Sequence, residues 1–71
     1  MDFSTALQNI KEGARAFRSG WNGKGMFVAL AQVTEHSFVT KPYLYMFTAD
    51  GERVPWLASQ TDLLADDWAT E

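Results

Sequence analysis

A chain without cysteine cannot be stapled by disulfides or by a thiolate-bound metal, and at 71 residues this one needs a substitute for such a staple. A single histidine, His36, makes a zinc site of ordinary ligand type a poor fit as well. One hydrophobic core takes roughly 50 residues, so residues 1–71 form one domain with nothing left for a second. Such a domain buries only about 60% of its unfolded surface, and its core supplies about 3–5 kcal/mol. Oligomerisation or very good packing must make up the difference. Against that small core stand ten aromatic residues: Phe3, Phe17, Trp21, Phe27, Phe38, Tyr43, Tyr45, Phe47, Trp56 and Trp68. Each ring carries about 150–250 Å² of surface, so several must lie at a subunit interface or line a ligand pocket.

The charge balance narrows the ligands. Six basic and nine acidic residues give a net charge of −3 and a pI of about 4.9. That argues against a protein that holds duplex nucleic acid by neutralising phosphates, and leaves small anionic ligands open. Arg15, Arg18 and Lys24 lie in the first third, whereas Asp62, Asp66, Asp67 and Glu71 crowd the end; this pattern favours a solvated face and an acidic tail. No run reaches the 18 or so apolar residues of a membrane span, and the start MDFSTALQNIK lacks the basic and apolar regions of a secretory signal. The expected location is the cytosol.

Apolar residues at Phe3, Leu7, Ile10 and Ala14 share one helical face, which predicts a helix over about 4–12 with Asp2 or Ser4 as N-cap and Gly13 as its stop. Alternation from Ala14 to Arg18 predicts a short strand. After a glycine-rich connection, Gly20-Trp21-Asn22-Gly23-Lys24-Gly25, the nearly all-apolar run Met26–Val33 suits a central strand covered on both faces. Residues 34–42 read as a loop, because Pro42 excludes a central strand position. Tyr43–Thr48 predicts another strand, and Asp50-Gly51 a hairpin returning through Arg53 and Val54 to Pro55. Ser59 would cap a short helix with Asp62 at the favourable end of its dipole, and Asp67–Thr70 can add an edge strand. The fold expected is α+β: a small antiparallel sheet with an N-terminal helix packed on it and a short helix near the C-terminus.

Catalysis finds little support in these residues. His36 stands in the least regular segment with only Ser37 as a hydroxyl neighbour, and reads as a surface histidine. Asp66 and Asp67 are adjacent and do not face one another, while Asp50 and Glu52 flank a hairpin tip, so neither pair forms an acid–base dyad. Gly20, Gly23 and Gly25 permit positive φ and close backbone approach, which can cradle a phosphate. The run nevertheless matches neither a Walker A loop nor a dinucleotide fingerprint, and its pattern favours a tight β connection. Trp21 and Trp56 sit at element boundaries, where rings are exposed unless something covers them. There they can stack on a nucleobase, worth about 1–3 kcal/mol for each base, or belong to the core or an interface; spacing leaves both readings open.

Three longer words carry a resemblance. Gly20-Trp21-Asn22-Gly23-Lys24-Gly25-Met26, Thr48-Ala49-Asp50-Gly51, and Val54-Pro55-Trp56-Leu57-Ala58-Ser59-Gln60-Thr61-Asp62-Leu63-Leu64-Ala65-Asp66-Asp67-Trp68, with the opening Phe3-x-x-Ala6-Leu7-x-x-Ile10-Lys11-x-Gly13, resemble the small phage proteins of the type two Thoeris anti-defence family. The similarity spans about residues 3–33 and 43–69. It implies a non-enzymatic sponge that binds cyclic nucleotide messengers of bacterial anti-phage immunity: cyclic ADP-ribose isomers and, for some members, cyclic di- or trinucleotides. It implies no cofactor, and a homotetramer with pockets where protomers meet, acting in the host bacterial cytoplasm. Carried over by motif, Trp21 and Asn22 line the pocket, and Trp56, Ser59, Gln60, Thr61 and Asp62 lie near it. In that reading Trp21 and Trp56 stack on base or ribose faces, backbone N–H groups from Asn22 to Met26 with Lys24 or Arg18 meet phosphate, and residues 59–62 read polar edges. Many relatives carry a longer, more polar insertion where this chain has only residues 34–42. Two readings from other classes are a protein-interaction module that docks exposed aromatics on a host protein, and a phage structural subunit.

Overall fold

The computed structural model describes residues 1–71. Helix α1 spans Phe3–Lys11, and its first turn is closed by Asp2, whose carboxylate accepts from the Thr5 amide at 2.9 Å. At the other end the Gly13 amide donates to Ile10 and the Ala14 amide to Asn9, both at 3.0 Å, a pairing that needs Gly13 in the left-handed region, at φ +103°. The helix therefore starts and stops on residues its own sequence supplies, one position earlier at each end than the spacing predicts.

Strands β1 (Ala16–Arg18), β2 (Phe27–Ala31), β3 (Tyr43–Phe47), β4 (Arg53–Pro55) and β5 (Trp68–Thr70) follow, with α2 (Gln60–Leu64) between β4 and β5. They form one antiparallel sheet in the order β4-β3-β2-β1-β5. The apolar run does take the central place, as β2. The predicted first strand begins two residues late, although Arg15 and Glu71 exchange both backbone hydrogen bonds just beyond the end of the β1–β5 ladder. Residues 34–42 contain no strand or helix. At the Asp50-Gly51 hairpin, Gly51 adopts φ +87°, and Pro55 ends an edge strand, where a missing N–H costs no ladder bond.

The register sorts side chains by face. Ala16, Val28, Leu30, Leu44, Met46 and Trp68 point to the side that α1 covers, where Ala6, Ile10, Ala16, Val28 and Trp68 are the only residues fully buried. The opposite side carries Phe17, Phe27, Tyr43, Tyr45 and Phe47, half of the aromatic residues, with no helix over them. Here the expectation of a central strand covered on both faces is overturned. Only Val28 of β2 is buried, because both helices lie on one side of the sheet and the residues alternating with Val28 face outward.

Candidate functional site

One arginine joins two acids of the C-terminal half to the end of β1. Arg18 ends β1 on the helix-covered side, next to Trp68 across the β1–β5 ladder. Its Nη1 donates to Asp62 Oδ1 at 2.8 Å and its Nε to Asp67 Oδ1 at 2.7 Å, with its side chain only 17% exposed. Asp62 is held in place from its own helix: the Ser59 hydroxyl accepts from the Asp62 amide at 3.0 Å, which caps α2 as expected. Asp62 Oδ1 also accepts from Trp21 Nε1 at 3.2 Å, and its backbone carbonyl from Trp68 Nε1 at 2.9 Å. Asp67 takes the Gly20 amide at 2.8 Å, and a Cβ at Gly20 would come within 2.9 Å of the same carboxylate. Glycine there is a matter of space.

This network corrects the reading of the C-terminal acids as a solvated tail. Burial opposes ionisation of Asp62, but the hydrogen bonds from Arg18 and Trp21, with the Ser59 hydroxyl close by, outweigh it and hold the carboxyl below its usual range. For Asp67 the Arg18 hydrogen bond leads, opposed by burial and aided by the Gly20 amide, again lowering the pKa. The same two carboxylates raise that of Arg18.

Around the polar cluster stands an aromatic one. Trp68, 2% exposed, meets Trp21 edge-on at 5.4 Å, Trp56 edge-on at 6.0 Å and Phe3 at 5.1 Å, while Phe3 also meets Trp56 at 5.8 Å. The boundary tryptophans are thus half-buried, each resting on one buried ring and each keeping part of its surface open. Trp21 is aimed by both its ring contact and its indole hydrogen bond.

The expected site residues divide into two groups. Arg18, Trp21, Trp56, Ser59 and Asp62 gather around Trp68, with Gln60 and Thr61 exposed on α2 beside them. Asn22 and Lys24 are exposed on the glycine-rich connection, and Lys24 forms no ion pair. Met26 lies elsewhere. It folds back so closely on Gly23 that a Cβ there would collide with its sulfur, and it lines a groove of about 270 Å³ with Arg15, Phe17, Gly25, Phe27, Phe47 and Glu71. That groove opens on the helix-free side. Asp67 and Trp68 were missed as organising residues. Their signal in the sequence is their place at the end of the word that runs from Val54 to Trp68, where neither was given a role.

A family model described as Tad2-like, the Thoeris anti-defense 2-like domain, matches residues 1–70. The chain belongs to the Thoeris anti-defense 2-like family. A protein of Bacillus phage SP01 named Thoeris anti-defense 2 is 38% identical over 81 aligned positions, covering 96% of this chain and 91% of the relative. Membership in a Thoeris anti-defence family confirms the resemblance carried by the W-N-G-K-G and P-W-L-A-S-Q-T-D words. The Trp68-centred cluster joins both words, through Trp21 from the first and Trp56, Ser59 and Asp62 from the second.

Proposed function

We propose that this family member is a sponge: it binds a cyclic nucleotide immune messenger, a cyclic ADP-ribose isomer or a cyclic di- or trinucleotide, and withholds it without cleaving it. The observation that supports this most is the convergence of the two family words on one cluster, where Trp21 and Trp56 are braced on Trp68. A ring held on one side and open on the other loses little freedom when a base stacks on it, so more of the stacking free energy appears as affinity. Arg18 is already engaged by two carboxylates, so Lys24, the Asn22 side chain and the amides of residues 22–26 are the groups left to meet phosphate. Gln60 and Thr61 are exposed on α2, and in this reading their side chains recognise polar edges of the messenger. The assembly is a homotetramer in the host bacterial cytoplasm, needing no cofactor, with pockets completed where protomers meet.

The test is to incubate the protein with a cyclic ADP-ribose isomer, remove free ligand and heat. Intact messenger should be released; a hydrolysed product would make the protein an enzyme. Trp21→Ala should weaken messenger binding about 5- to 150-fold while leaving the oligomer intact, since one lost stack is worth about 1–3 kcal/mol. Unchanged affinity in folded Trp21→Ala protein would assign the ring a purely structural role. A second reading, docking on a host protein, rests on Phe38, Leu57 and Leu64, which are almost fully exposed. Calorimetry separates the two, because a protein-docking module gives no heat with any cyclic nucleotide.

A further inference from the structure

The glycine-rich connection holds one dipeptide with a chemistry of its own. We propose that Asn22-Gly23 is a self-modification site: the Asn22 side chain deamidates through a cyclic imide, and the aspartate or isoaspartate it becomes makes the protein a weaker messenger binder. The modification rests on the loop alone, and its consequence for binding rests on the sponge reading.

Three observations carry it. First, both reacting groups are free. The anchors of the connection end at Gly20 and Trp21, held by Asp67 and Asp62. Beyond them the Asn22 side chain is exposed and unbonded, the Gly23 N–H donates to no acceptor, and neither residue lies in a helix or strand. Second, the following residues assist. Glycine has no side chain to shield its nitrogen. The Lys24 ammonium, exposed and without an ion pair, favours the amide anion that must form. Packing also fixes the glycine, because a Cβ at Gly23 would collide with the Met26 sulfur and come within 3.0 Å of the Ala49 Cβ. The reactive pair is therefore built into the fold.

Third, the comparable pairs in the chain are protected. Asn9, the other asparagine, lies in α1, donates from Nδ2 to Thr70 Oγ1 at 3.1 Å and is followed by the buried, β-branched Ile10. At Asp50-Gly51 the Gly51 N–H donates to the Thr48 carbonyl at 3.0 Å, and the Asp50 carboxylate accepts from the Thr48 hydroxyl. The step at Asn22 needs only water and no redox partner. The deprotonated Gly23 nitrogen attacks Cγ of Asn22; the N–Cγ bond forms, the Cγ–Nδ2 bond breaks, and ammonia leaves with the proton. Water then opens the imide at Cγ, giving aspartate, or at the main-chain carbonyl carbon, giving isoaspartate and one extra carbon in the main chain. Either product replaces an amide donor by a carboxylate beside Lys24 and the amides offered to phosphate, in a chain already at net charge −3.

Peptide mapping of the folded full chain, warmed in mildly alkaline buffer, tests the site through the mass gain of about one dalton. Asn22 should convert at least tenfold faster than Asn9, and its rate in the folded protein should lie within threefold of its rate in concentrated urea. Conversion no faster than at Asn9, or slowed more than threefold by folding, would overturn the site. Calorimetry with a cyclic ADP-ribose isomer reads the consequence. Aged protein and freshly made Asn22→Asp should both bind at least fivefold more weakly than fresh wild type. Their far-UV circular dichroism should be unchanged, because the Asn22 side chain is exposed and unbonded. Equal affinity of fresh wild type and Asn22→Asp would overturn the consequence for binding. Fresh wild type that binds no cyclic nucleotide would refute the sponge reading, and that consequence with it, while the mass measurement still decides the modification site.

Discussion

Replacing Asp62 by alanine should remove far more stability than replacing an exposed, unpartnered carboxylate such as Asp66. Its side chain is 16% exposed and accepts two hydrogen bonds, from Arg18 at 2.8 Å and from Trp21 Nε1 at 3.2 Å. A hydrogen bond to a charged group contributes about 1.5–3 kcal/mol and a neutral donor adds about 1, and discounting for the solvent that still reaches the pair leaves about 2 kcal/mol. For a domain this small that loss corresponds to a fall of roughly 8–16 °C in Tm. It would be read by thermal unfolding at fixed protomer concentration, because self-association makes Tm depend on concentration. Asp66→Ala is the control: Asp66 is exposed, its side chain accepts no hydrogen bond, and its Tm should match the wild type. The difference should also depend on pH. Asp62 has a folded pKa lowered below its unfolded value near 3.9, so its contribution is complete above that value and disappears as pH falls through the folded pKa. The gap between wild type and Asp62→Ala should therefore be widest at neutral pH and narrow in strong acid. A Tm within 2 °C of wild type at pH 7, or a gap equally wide at pH 7 and pH 2, would refute the account of Asp62 as the pin between the two halves.

Two further changes probe the local ends of the helices. Gly13→Ala meets no atom within 4 Å, so its cost of about 1 kcal/mol should come only from the left-handed backbone, and urea unfolding should show a lower midpoint with an unchanged slope. Ser59→Ala removes the acceptor for the Asp62 amide and should cost about 1 kcal/mol, while Ser59→Thr should recover most of it in the same assay.

Much of this protein was legible because it is local. The 3–4 spacing of Phe3, Leu7 and Ile10, the Asp2 cap, the Gly13 stop, the Asp50-Gly51 turn and the Ser59 cap are each decided by groups within about five residues, so the chain needs no distant partner to settle them. The words around Trp21 and Trp56 were equally visible, and with them the family. Local signals could not show that Arg18 would find Asp62 and Asp67, 44 and 49 residues away, since that depends on β5 returning beside β1. Lacking that pairing, Asp67 read as part of a solvated tail and Trp68 as an edge-strand residue, although one fixes the glycine-rich connection and the other is the largest side chain in the core.

The aromatic surplus shows the same division. Composition alone established that ten rings exceed what one small core can hide, and alternation placed the strand rings on alternating faces. Where each ring went was settled by tertiary structure. Phe3, Trp21, Trp56 and Trp68 cluster under the helices, Phe38 stands alone in its loop, and Phe17, Phe27, Tyr43, Tyr45 and Phe47 are left on the bare side of the sheet. The physical reason is that side-chain period is a property of one strand, whereas the side on which a helix settles depends on strand order and on how the connections run between strands. The sequence therefore determined that something must cover these rings, and only the assembled sheet decided which of them remained to be covered.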